Sequence, residues 1–79
     1  MEEEVKKIIS EAFFIDINDI KLDSKLKEDL DIDSLAATNL LLDLEEKYNI
    51  KVETSRLESL VTVRDVVNLL IEKGVVDEN

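Results

Sequence analysis

The stretch that decides the reading of this chain is EDLDIDSLAATNL, residues 28–40. Asp29, Asp31 and Asp33 alternate with apolar residues, Ser34 follows, and a run of helix formers begins. Three explanations compete: a calcium loop, an ordinary helix start, and a point of attachment on Ser34. An EF-hand loop needs glycine at its sixth position and a bidentate glutamate at its twelfth. Counted from Asp29, those positions hold Ser34 and Leu40. The calcium reading therefore fails at two key places. A plain helix start remains, because Asp33 and Ser34 are both good N-cap residues.

The helix that begins there points outward as well as inward. At about 100° per residue, Ala37, Leu40, Leu41, Leu44 and Tyr48 fall on one side, the core face. Leu35 and Leu42 fall on the other, among Thr38, Asn39, Glu45 and Glu46. Two exposed leucines beside a candidate site suggest a contact surface, while the long connection is expected to fold over Leu35 and cover it in part. A serine at a helix N-terminus also has free N–H groups and the positive end of the helix dipole close by, and both stabilise an anion on its oxygen. Against this, the three aspartates crowd the site with negative charge. A divalent cation or a basic partner relieves that repulsion.

The rest of the chain supports an all-α fold, built as a small bundle of three main helices plus one short helix, within a single domain at 1–79. Proline is absent, glycine occurs once, and the hairpin dipeptides Asn-Gly and Gly-Gly are missing. The first helix is expected from about Glu2 to Phe14, with Val5, Ile8, Ile9, Ala12 and Phe13 as its buried stripe. Residues 15–33 mix turn formers with Ile15, Ile17, Ile20, Leu22, Leu26, Leu30 and Ile32. A structureless loop of that length is unusual in a compact domain, so a long ordered connection with short helical turns is expected. The second helix runs from Ser34 to about Tyr48, with Asn49 as its stop. Ile50 and Val52 look extended. Thr54 can cap a brief helix to about Leu60, with Leu57 and Leu60 inward. Thr62 and Asp65 form a capping-box-like pair for the last helix. Its stripe reads Val63, Val66, Val67, Leu70 and Ile71, and Gly74 stands at its end.

Composition narrows the function. The chain has no cysteine and no histidine. Thiolate metal sites, disulfides and Ser/His/Asp or Cys/His nucleophiles are therefore impossible within it. Twenty acids against ten Lys plus Arg give a net charge of −10. Such a surface repels nucleic acid and anionic membranes and attracts basic patches on proteins. No segment approaches the ~20 apolar residues of a membrane span, and MEEEVKK lacks the features of a signal peptide. A cytoplasmic, monomeric protein without membrane insertion and without a metal site of its own is expected.

In this order, length and charge, the stretch EDLDIDSLAATNLLLDLEEKYNIKV resembles the core motif of acyl carrier proteins, with Asp33-Ser34-Leu35 at the start of the second helix. The resemblance covers nearly the whole chain. It implies a carrier and not an enzyme. It also implies a 4′-phosphopantetheine arm on Ser34, attached by a separate magnesium-dependent phosphopantetheinyl transferase, and a thiol that arrives with the arm. By the same resemblance, Asp33 helps position metal and serine, and Leu35 belongs to the motif. Acyl-processing enzymes with basic docking patches would read Leu35, Leu42, Asp43, Glu45 and Glu46. Type II fatty-acid synthesis is the leading pathway. A carrier for polyketide, peptide or specialised lipid synthesis is the alternative, and an unmodified helical interaction module is the alternative of another class. Fatty-acid carriers usually have glycine two residues before the motif aspartate and acids soon after Asp-Ser-Leu. This chain has Asp31, Ala36 and Asn39 there.

Overall fold

The computed structural model describes residues 1–75. Three α-helices carry it: α1 (Glu2–Phe13), α2 (Ser34–Tyr48) and α3 (Val63–Glu72). Two 3-10 segments, Ile17–Asp19 and Thr54–Ser59, interrupt the connections. Among the described residues there is no strand, only an isolated bridge between Lys25 and Thr62. The all-α expectation, with three main helices, one short one and an ordered connection, is met.

α1 opens with Glu2, Glu3 and Glu4 in its first turn, where acids complement the helix dipole. Lys6 pairs with Glu2 one turn back, at 3.1 Å. The helix stops one residue earlier than expected. Phe14 turns left-handed at φ 57°, and its N–H bonds the Ser10 carbonyl. Ile15 N–H bonds the same carbonyl at 3.2 Å. This reversal leaves Phe14 95% exposed. Ala12 is also exposed, so the buried stripe is narrower than the periodicity implied. The tie to α2 is made at the other end, where Tyr48 Oη donates to Glu4 Oε2 at 3.2 Å.

The core is aliphatic. Val5 and Ile9 of α1 meet Leu40 and Leu44 of α2 and Val63, Val66, Val67 and Leu70 of α3. The connection contributes as much as a helix does: Ile20, Leu26, Leu30 and Ile32 are all buried. Ile15 and Leu22 are half-buried, and Ile17 is exposed. In α3 one assignment reverses. Ile71, expected inside, is exposed, while Leu69, off the periodic stripe, is buried. A helix in so small a bundle is covered from more than one side, and a single apolar stripe describes it incompletely. The end of α3 follows the expected plan. Gly74 has φ 84°. Its N–H bonds the Ile71 carbonyl and the Val75 N–H bonds the Leu70 carbonyl, the two bonds of a Schellman motif.

The connection also completes α3. Leu26 N–H bonds the Val61 carbonyl at 2.9 Å, Val63 N–H the Ser24 carbonyl at 3.1 Å, and Arg64 N–H the Leu22 carbonyl at 3.0 Å. Thr62 and Asp65 form the full reciprocal capping box. The Thr54–Ser59 segment packs on α2. Thr54 is its first residue and not its cap, and no side chain caps that turn. Its anchors lie elsewhere. Val52 N–H donates to Glu45 Oε2 at 2.9 Å, Arg56 pairs with Glu72 of α3, and Leu57 and Leu60 are half-buried.

Candidate functional site at the start of helix α2

The three aspartates of the opening stretch part company in space. Asp29 Oδ2 accepts the Lys25 N–H at 2.8 Å and closes a turn over residues 25–30. Asp31 is left-handed, with φ 57°. Aspartate tolerates that region better than most residues, and glycine adopts it freely. Ile32 then drops into the core at 3% exposure and donates its N–H to the Leu26 carbonyl. Asp33 is the N-cap of α2: its Oδ1 accepts the Ala36 N–H at 2.8 Å. Among the described residues, no group of three or more acids is placed to hold a metal ion.

The choice between Asp33 and Ser34 as cap is thereby settled. Ser34 is the first helical residue, and it is exposed. Its carbonyl accepts the Thr38 hydroxyl at 2.8 Å. Its own hydroxyl has no hydrogen-bond partner among the described residues, and the backbone N–H groups of Ser34 and Leu35 meet no acceptor there. A nucleophilic oxygen thus stands beside two unpaired donors at the positive end of a helix of 15 residues.

Ser34 also stands at a cleft of about 270 Å³ with mixed apolar and charged walls. Leu26, Ile32 and Ala37 line one part of it, and Leu57, Leu60 and Val61 another. Lys25, Lys27, Glu28, Asp33 and Glu58 supply its charged lining. Sequence reasoning missed this cleft, because its walls come from three separated segments.

The outward face of α2 carries both leucines as expected, but the connection does not fold over Leu35. Leu35 is 73% exposed and Leu42 56%. Asn39, Asp43 and Glu46 are exposed around them. Glu45 differs: it is half-buried, and one of its carboxylate oxygens is committed to Val52. Asp43 and Glu46 also line a shallow groove against Ile8, Glu11 and Ala12 of α1. No helix of the described residues is long and apolar enough to cross a membrane.

Comparison with known proteins identifies the family of the chain as a whole. The family described as "Phosphopantetheine attachment site" matches residues 3–70. An acyl carrier protein of Campylobacter concisus is 39% identical over 72 residues, covering 91% of this chain and 94% of the relative. One from Campylobacter lari is 40% identical over 68 residues, covering 86% and 88%. One from Petrotoga mobilis is 37% identical over 76 residues, covering 96% and 89%. The chain therefore belongs to the acyl carrier protein family, whose members hold a covalent 4′-phosphopantetheine group and are carriers rather than catalysts.

Proposed function

We propose that Ser34 Oγ is the point of attachment, and that the chain presents acyl intermediates, held as thioesters on the arm, to the enzymes of type II fatty-acid synthesis. The observation that carries this reading is the free Ser34 hydroxyl at an open helix N-terminus beside a partly apolar cleft. The group fits the residues present. The unpaired N–H groups of Ser34 and Leu35 suit a phosphodiester anion, and the cleft offers apolar shelter to a cargo chain. When bound, the arm supplies the thiol that this cysteine-free chain lacks.

The neighbouring residues divide the remaining work. Asp33 uses Oδ1 for the cap, which leaves Oδ2 for the divalent metal that accompanies the phosphopantetheinyl transferase. Leu35 and Leu42 give partner enzymes an apolar anchor. Asp43, Glu46 and the free oxygen of Glu45 give basic patches a counter-charge. The same reading makes the protein a cytoplasmic monomer that meets its partners in turn.

A second pathway reading has its own support. Asn39 is exposed and neutral between Leu35 and Leu42, and Ala36 is half-buried, so the first turns of the partner face carry no acid. This favours a carrier dedicated to polyketide, peptide or specialised lipid synthesis. Elongation of short acyl precursors by fatty-acid ketosynthases separates the two: no elongation with any such partner removes the fatty-acid assignment.

Attachment itself is tested by intact mass before and after incubation with coenzyme A, magnesium and a broad-specificity transferase. The expected result is a gain of one phosphopantetheine group, lost in Ser34→Ala. A folded, initially unmodified chain that gains no mass points to an unmodified interaction module or to a carrier that needs its own dedicated transferase.

A further inference from the structure

An arm on Ser34 brings a phosphodiester anion close to Asp33, on a chain whose net charge is already −10. Two backbone N–H groups offset part of that charge. A full positive charge held by the chain itself would offset more. Two cations line the cleft with Ser34, and they are Lys25 and Lys27. Lys25 is taken, with its Nζ 3.2 Å from Glu28. Lys27 has no acidic partner among the described residues.

The backbone around Lys27 is fixed. Its neighbour Leu26 donates to the Val61 carbonyl, and Asp29 and Leu30 both donate to the Lys25 carbonyl. The Cα of Lys27 is therefore held at the cleft, while its flexible stem leaves the ammonium free to follow a ligand. Of the acids that share the cleft, Glu28 is drawn to Lys25 and Asp33 to the Ala36 N–H. Glu58 is left as the competitor for Lys27.

We propose that Lys27 is a positioning residue for the arm: its ammonium pairs with the phosphodiester on Ser34 and holds the arm against the cleft. The proposal rests on attachment at Ser34. A phosphodiester has one ionisable oxygen, already ionised at neutral pH, so the pair forms whenever the arm is present. The arm then starts its path along the apolar walls instead of in open solvent.

The test compares the unmodified and loaded chains, with loading shown by intact mass. Lysines labelled at Cε are followed by NMR in both at one neutral pH. On loading, the Lys27 Cε resonance is expected to shift, as an exposed ion pair forms. Lys7 and Lys51, on α1 and beyond the far end of α2, should not move. The phosphorus-31 resonance of the loaded chain should shift in Lys27→Met and return in Lys27→Arg. An unchanged Lys27 resonance on a chain whose mass shows the arm overturns this pairing and leaves the attachment intact. A chain that never gains mass overturns the attachment, and the pairing with it.

Discussion

Helices α2 and α3 begin in opposite ways. At α3 the start is closed. Asp65 Oδ2 accepts the N–H groups of Val61 and Thr62, Thr62 Oγ1 accepts that of Asp65, and the carbonyls of Ser24 and Leu22 accept those of Val63 and Arg64. At α2 the start is open. Asp33 satisfies Ala36, and the N–H groups of Ser34 and Leu35, two exposed residues, meet no acceptor among the described residues. Unpaired donors at a helix start are costly when buried and harmless when exposed. The closed start holds the bundle together. The open one leaves that hydrogen-bonding capacity unused.

Substitutions can break this contrast, beginning with the largest effect. Asp65→Ala strips two N–H groups of a charged acceptor and opens the capping box. It should lower stability by about 2 kcal/mol in urea unfolding. A loss below a few tenths would mean that the α3 start is held by the connection alone. Asp33→Ala should cost about 1 kcal/mol, because it removes a single cap bond. Asp33→Asn keeps the cap and removes the charge, so its stability should fall by no more than a few tenths. Its magnesium-dependent loading should still be slowed, and equal loading rates for Asn and Asp would confine Asp33 to capping. Ser34→Ala should leave stability within about 0.5 kcal/mol, since an exposed hydroxyl without a partner holds nothing. A larger drop would assign Ser34 a structural part in the α2 start.

The smallest effect concerns the far end of α3. The hydrogen bond and charge of Arg56 hold the Glu72 carboxyl below its ordinary value of 4.5, and Glu72 raises Arg56 in turn. A depressed carboxylate contributes stability above its unfolded value and loses it as the pH falls through the folded one. The stability of wild type should therefore fall more steeply than that of Glu72→Gln from pH 5 downward. Parallel curves would show that solvent screens the pair completely. The raised Arg56 adds stability that is lost only at strongly alkaline pH, beyond the range of such a titration.

Much of this was legible in the residues, for physical reasons. The range of α2, its exposed leucines, the Thr62–Asp65 box and the Gly74 stop all follow from local rules of capping and periodicity. Most of what escaped depends on tertiary contacts. The left-handed Phe14 is the local exception: two N–H groups converge on the Ser10 carbonyl at the end of α1, where phenylalanine is no usual stop. No periodicity buries Leu69 in preference to Ile71. Asp33 and Ser34 are equivalent as caps by type, and the geometry of the chain entering α2 decides between them. The cleft needed residues 25–37 and 57–61 to be brought together, which composition does not reveal.

The carbonyls that Ser24 and Leu22 lend to α3 also set an order of events. Their partners lie about forty positions further along the chain, so the start of α3 is completed only after a long loop closes. The local capping box can nucleate that helix early, but its first turn stays loose until the connection docks. In hydrogen exchange, the amides of Val63 and Arg64 should therefore report the release of the connection, whereas those of Ser34 and Leu35 exchange without any opening. With the proposed attachment at Ser34, the arm would join the part of the molecule already free in the native state, and loading it would require no unfolding.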